Sequence, residues 1–163
     1  MTFATATEVD AAPIAALRTA AAEHLTRTVG KGHWSRIVTE RGVRYDLKTA
    51  RVLVARRGAE IVATMNLATK KPWAIDLAYF AAVPKAVYLH EMAVAPGLQR
   101  QGIGRALVRE GIAVARMWPS QAIRLDAYDA MAGAGGFYLK CGFREVGRVT
   151  YRKVPLIYFE LLL

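Results

Sequence analysis

Apolar residues recur along this chain with two periods, and the switches between them divide it into strands and helices. Phe3 to Glu8 alternates weakly and reads as a short first strand. Asp10 suits an N-cap and Pro13 is tolerated in a first turn. Ile14, Leu17, Ala21 and Leu25 then recur at helical spacing to about Thr28, before Gly30 and Gly32. Arg18, His24 and Arg27 are expected on the wet face of that helix. A loop, Gly30-Lys31-Gly32-His33-Trp34-Ser35, enters a second short helix expected around Trp34 to Arg41. Arg51 to Arg57 and Glu60 to Ala68 are β-rich runs joined through Gly58, a hairpin signal. Lys70-Lys71-Pro72-Trp73 ends the second run, and Ala74 to Lys85 is apolar without a period.

The next stretch organises the rest. Tyr88 to Val94 is a β-type run that, if regular, places His90 and Met92 on one face with Leu89 and Glu91 on the other. Pro96 and Gly97 end it, and from Gly102 to Trp118 a helix carries Ile103, Leu107, Gly111 and Val114 on one side, stopped by Pro119. A strand thus feeds a Gly- and Arg-bearing turn at a helix N-terminus. Unpaired N–H groups and the helix dipole favour an anion there. Gly102 and Gly104 would let a phosphate approach the backbone, and Arg100 and Arg105 add bidentate cations. Further on, Ile123 to Ala127 reads as a strand, and the glycine-rich Ala132 to Gly136 leads into Phe137 to Phe143. Two closing strands, Arg144 to Tyr151 and Leu156 to Leu162, are expected on either side of Pro155.

The glycine turn is not a P-loop, since no Lys-Ser or Lys-Thr follows it, and Leu107 stands where a dinucleotide fingerprint needs its third glycine. What remains is Gln99-x-x-Gly102-x-Gly104 after Val94-Ala95-Pro96. This resembles the pyrophosphate motif Q/R-x-x-G-x-G/A of the GNAT superfamily of acyl-CoA-dependent N-acetyltransferases. Ala134, Tyr138, Gly142 and Phe143 fall in step with that family's A-x-x-x-Y-x-x-x-G-F signature. The resemblance covers about Asp46 to the end well and the first helices by topology alone. One departure is Met131, where family members commonly carry an Asn that hydrogen-bonds the cofactor arm.

The resemblance implies an α/β fold on one domain, residues 1–163: a mixed, mostly antiparallel twisted sheet of about seven strands, flanked by four helices and splayed between strands four and five. It implies acetyl-CoA as acyl donor, direct transfer to an amine, and backbone polarisation of the acyl carbonyl along Met92, Ala93 and Val94. Gln99, Arg100, Gln101, Gly102, Ile103, Gly104 and Arg105 would hold the pyrophosphate. Tyr138 matches the tyrosine that protonates the departing sulfur. His90 is the expected base, because imidazole is neutral and accepting near pH 7; a core histidine is the bland alternative. His33 and Trp34 border the expected acceptor site, and Trp73 and Tyr79 are further lining candidates, although core packing suits them better. Cys141 as a nucleophile lacks an activating pattern around it.

Composition narrows this little. At 163 residues, 54% hydrophobic and 22% charged, the chain can bury a real core and is not of disordered type. No apolar run suits a membrane span and no secretory leader stands at the start, so a cytoplasmic enzyme without membrane contact is expected. A lone cysteine makes neither an internal disulfide nor a Cys-based metal site, and no metal is expected. The net charge of +10 raises nucleic acid as a partner, but Lys and Arg are scattered and no nucleic-acid motif accompanies them. Acyl-CoA is itself polyanionic. The expected partner is a small-molecule or peptide amine, with homodimerisation left open. The rivals are a non-catalytic acyl-CoA sensor on the same fold and, behind it, a basic nucleic-acid-associated protein.

Overall fold

The computed structural model describes residues 1–163. Seven strands form one sheet in the order β1-β2-β3-β4-β5-β7-β6. They are β1 Thr2–Thr5, β2 Arg51–Arg57, β3 Glu60–Ala68, β4 Ala86–Val94, β5 Ala122–Tyr128, β6 Arg144–Tyr151 and β7 Val154–Leu162. The helices are α1 Ala11–Val29, α2 Glu40–Thr49, α3 Ile103–Met117 and α4 Gly135–Lys140. Every strand pair is antiparallel except β4 with β5.

Central strands are covered on both sides, which is why β2 and β3 read as nearly continuous apolar runs. On one face α3 packs Ile103, Leu107 and Val108 against Val62, Met65, Leu67 and Ile123. On the other, Ile14 and Leu17 of α1 and Val43 of α2 cover Val52 and Val54. Burial of a Leu or Ile side chain is worth about 1.5–3 kcal/mol, so these two layers hold the sheet between them.

Several boundaries depart from expectation for local reasons. The second helix is Glu40–Thr49, not Trp34 to Arg41: Thr39 takes the N-cap, its hydroxyl accepting from the Gly42 N–H at 3.1 Å. Asp10 does precede α1, but its carboxylate turns back to the Thr7 N–H (2.9 Å) and to Arg56 (2.6 Å). Pro155 lies inside β7, and the last hairpin turns instead at Arg152 and Lys153, both at positive φ. The apolar segment before β4 is a loop clamped by a buried pair. Arg124 reaches Glu160 at 2.9 Å and the Ala81 carbonyl at 2.6 Å, while Glu160 accepts from the Ala81 N–H at 3.2 Å. Phe80 and Tyr79 then pack on Tyr158, at 5.3 and 5.4 Å between ring centres.

Candidate active site

The parallel pairing of β4 and β5 spans only Ala86–Tyr88 against Ala122–Arg124. Beyond it the strands diverge, and a cavity of about 950 Å³ opens between them toward the start of α3. The turn at that end is built as an anion seat. Gly102, the N-cap of α3, sits at φ 82° and Arg100 at φ 62°, left-handed positions of the kind that form anion-binding concavities in turns. A non-glycine residue held at positive φ costs on the order of 1–3 kcal/mol, a strain typical of functional turns. Gln99 and Gln101 donate to the Val94 and Gly97 carbonyls, each at 3.3 Å, so both side chains brace the turn.

Gly104 has another purpose than close phosphate approach by its own face. A Cβ there would meet Met92 Cε and the Phe137 ring at 3.3 Å, so its bareness lets α3 sit close against β4 and α4. Of the residues expected at the donor, Met92, Ala93, Val94, Gln99, Arg100, Gly102, Gly104 and Arg105 line the cavity. Gln101 and Ile103 do not, Ile103 because its side chain is in the core.

A bulge in β4 overturns the expected faces. Thr64 pairs with Ala93 and Asn66 with His90, so Met65 alone opposes both Glu91 and Met92, and Glu91 takes φ 54°. Met92 therefore shares the α3 side with Leu89, and His90 does not share a face with Met92. His90 turns toward α1 and α2, where it is half-buried and does not line the cavity. Burial lowers its pKa, only partly offset by Glu91 and Asp46. Glu91, expected to point away, does line the cavity.

Glu91 ends a polar network that joins the first third of the chain to the sheet. Arg18 is only 4% exposed, not on a wet face. It donates to Asp46 of α2 and to Asn66 of β3, both at 2.7 Å, and lies 3.8 Å from Glu91. Removing one partner from such a buried pair strands a charge, typically at about 3–5 kcal/mol. From the α1–α2 connector, Arg36 donates to Glu91 at 2.5 Å. The same connector reaches β5: the Trp34 ring meets Tyr128 edge-on at 5.8 Å, and the Tyr128 hydroxyl donates to the His33 carbonyl at 3.3 Å. The connector thus touches both walls of the cleft. Trp34 lines it, and His33 contributes only backbone.

Helical phase could have revealed Arg18, which lies four residues after Ile14 and seven before Leu25 on the apolar stripe. Ala21, Ala22, His24 and Leu25 on that side of α1 line the cavity instead of filling a core. Asp126 escaped notice as well. Burial raises its pKa, and it alternates with Leu125 and Ala127, which face the α3 core, so it turns to the opposite face of the sheet, without lining the cavity.

Tyr138 meets the cleft from α4. It is buried among Phe137, Phe143 and Phe159, and its hydroxyl donates to Met92 Sδ at 3.8 Å, a sulfur acceptor inside the cavity. Burial raises its pKa strongly, so the phenol keeps its proton. Three other residues stand apart: Trp73 is 82% exposed, Met131 is 91% exposed, and Tyr79 packs on Tyr158; none lines the cavity.

Residues 18–143 match the Acetyltransferase (GNAT) family. The chain belongs to that family. Solved structures agree with its fold. A ribosomal-protein-alanine N-acetyltransferase from Brucella melitensis superposes with a TM-score of 0.77 at 21% identity, covering 100% of both chains. The putative acetyltransferase yncA from Salmonella typhimurium, solved with acetyl-CoA, gives 0.73 at 18%, covering 99% of this chain and 93% of that one. An aminoglycoside 6'-acetyltransferase type Ii gives 0.74 at 15%, covering 99% and 97%. No curated protein matches the sequence. GNAT proteins use acetyl-CoA, and the residues of this cleft suit it: the Gly102 turn with Arg100 and Arg105 at one end, apolar Met92 and Phe137 along it, and the Tyr138 hydroxyl on Met92. No helix is long and apolar enough to cross a membrane.

Proposed function

We propose that the protein is an N-acetyltransferase that moves an acetyl group from acetyl-CoA directly to a primary amine of a small molecule or peptide. The observation that carries this is the joining of two features in one cleft: β4 and β5 stop pairing after Tyr88 and Arg124, and the gap leads to the strained turn before α3. Bound acetyl-CoA would supply an activated acetyl thioester. The turn from Gln99 to Arg105 would seat the pyrophosphate, and the β4 backbone from Met92 to Val94 would bind the arm and polarise the carbonyl.

On the acceptor side, Glu91 meets the ammonium by exchanging Arg36 for it, one cation for another. Deprotonation falls to Glu91 first, because it lines the cavity. His90, the expected base, is next to it in sequence and kept neutral by burial, but the same burial disfavours imidazolium and His90 does not line the cavity, so it stays second to Glu91. At the other wall Tyr138 donates to the departing sulfur in place of its present bond to Met92 Sδ. Its raised pKa makes it a persistent O–H donor rather than a strong acid.

Two structural relatives named for unlike acceptors, a ribosomal-protein alanine and an aminoglycoside, leave both peptide and small-molecule amines in the proposal. Met131, the departure from the family signature that would favour a non-catalytic sensor, points to solvent and does not line the cavity. The test is thiol release from acetyl-CoA across polyamines, arylalkylamines, aminoglycosides, amino acids and peptide N-termini. Turnover of at least one class is expected. Tight coenzyme A binding without turnover on any would leave the sensor standing.

A further inference from the structure

Arg36 and Glu91 make an ion pair inside the cleft, 2.5 Å from Nη2 to Oε2. Arg36 comes from the connector between α1 and α2, Glu91 from the β4 bulge, and both line the cavity. Glu91 is the only carboxylate that does, against Arg18, Arg36, Arg100, Arg105 and Lys140. Arg18 is buried and already bonded to Asp46 and Asn66. The Arg36 side chain bonds Glu91 alone and is 52% exposed, so it can swing away while Arg18 stays.

An apolar wall adjoins this pair. Trp34 Nε1 donates to the Gly30 carbonyl at 2.9 Å, and the Tyr128 hydroxyl donates to the His33 carbonyl at 3.3 Å. Both rings have their polar atoms tied to the connector backbone, so what they offer the cleft is carbon. Trp34 is seated over Gly32, where a Cβ would meet the indole at 2.5 Å, and it meets Tyr128 edge-on. From α1, Leu25 lines the same cavity, while Ala21 and Ala22 there leave room beside it.

An amine that takes Glu91 displaces Arg36 and leaves its guanidinium without a partner. A polycation brings further positive charge to that point and finds no second carboxylate to meet. A zwitterion satisfies both ends, with ammonium on Glu91 and carboxylate on the guanidinium fork. One ion pair becomes two. We infer that the acceptor is a free α-amino acid with a large apolar side chain, its carboxylate held by Arg36 and its side chain placed among Leu25, Trp34 and Tyr128. This deepens the acetyltransferase reading above and rests on it. Ammonium and carboxylate on one carbon suit two protein groups that start in contact.

The ammonium gives one proton to Glu91, and the freed lone pair forms the C–N bond to the acetyl carbon. The C–S bond breaks with its electrons on sulfur. Nitrogen sheds its second proton and sulfur takes one up, giving an N-acetyl amino acid and coenzyme A. That product keeps its carboxylate but has no ammonium. Once Glu91 has passed its proton to water, Arg36 can return to it and the product leaves.

The experiment measures kcat/KM by thiol release at saturating acetyl-CoA for L-phenylalanine, L-alanine, phenethylamine, spermidine and a peptide with N-terminal phenylalanine. Phenethylamine keeps the ring and a strongly basic amine but lacks the carboxylate. Wild type should favour L-phenylalanine over phenethylamine by about tenfold or more, the size of one charge-assisted contact, and this comparison needs no variant. Arg36→Gln should bring that ratio near one, and Arg36→Lys, which keeps the charge without the fork, should retain part of it. Trp34→Ala should cost L-phenylalanine more than L-alanine. Phenethylamine, spermidine or the peptide used as well as L-phenylalanine would overturn the inference and leave the acetyltransferase reading intact. A ratio that persists in Arg36→Gln, or equal losses for both amino acids in Trp34→Ala, would overturn it too. Absence of turnover on every amine together with no calorimetric binding of coenzyme A would bring down the acetyl-CoA reading itself.

Discussion

The two halves of the cleft are made differently. The donor half, from Met92 to Arg105 with Tyr138, is one strand, one turn and one helix, continuous in sequence and made largely of backbone. The proposed acceptor half is an assembly of side chains: Arg18 on α1, Arg36 on the connector, Glu91 on the β4 bulge and Tyr128 on β5 line it, and Asp46 on α2 and Asn66 on β3 hold Arg18 from behind. A backbone seat tolerates change in most side chains, which suits a ligand common to a family. A seat assembled from distant side chains can be rebuilt one residue at a time, which suits the part that meets the variable substrate.

The contrast breaks most severely at Arg18. Arg18→Met removes the charge that Asp46 and Asn66 face, and should destabilise the fold by about 3–5 kcal/mol. Thermal unfolding checks this, and an unchanged midpoint would mean the network is ornamental. Gly102→Val strikes the other half: a β-branched residue at φ 82° strains the turn by about 1–3 kcal/mol, so the KM for acetyl-CoA should rise about tenfold or more while acceptor KM moves little. Tyr138→Phe should lower kcat by about tenfold to a hundredfold with coenzyme A affinity nearly kept. Equal loss of both would reduce Tyr138 to packing.

Finer comparisons sit at the bulge. Glu91→Gln should slow turnover more than His90→Ala, because only Glu91 lines the cavity. The reverse order in kcat pH profiles would return the first proton transfer to His90. The smallest effect concerns stability. Burial lowers the His90 pKa, so the folded state disfavours imidazolium. Its stability contribution is intact above the unfolded value of about 6.5 and is lost as pH falls toward the lower folded value. His90→Asn should flatten the decline of the unfolding midpoint between about pH 7 and about pH 5.

The same contrast explains what could be read from the sequence. The donor half is local, so Gln99-x-x-Gly102-x-Gly104 and the strand before it were legible, as were β2, β3, α3 and the splayed sheet. The acceptor half was not. One bulge residue at positive φ reversed the faces of His90 and Met92, and no residue type in Leu89-His90-Glu91-Met92 announces it. Arg18 looked wet by residue type although its helical phase placed it inside, and Thr39 moved α2 downstream of a tryptophan that seemed to start it. Trp73 and Tyr79 illustrate the converse, since aromatics in an unperiodic loop resemble pocket lining and here belong to a clamped surface loop.

A crystal structure with coenzyme A tests the central claim most directly. The account predicts pyrophosphate oxygens within hydrogen-bond distance of the backbone N–H groups between Arg100 and Arg105, with the thiol running between β4 and β5 toward Tyr138. Coenzyme A bound elsewhere, or the turn before α3 filled by a side chain of the protein, would contradict it.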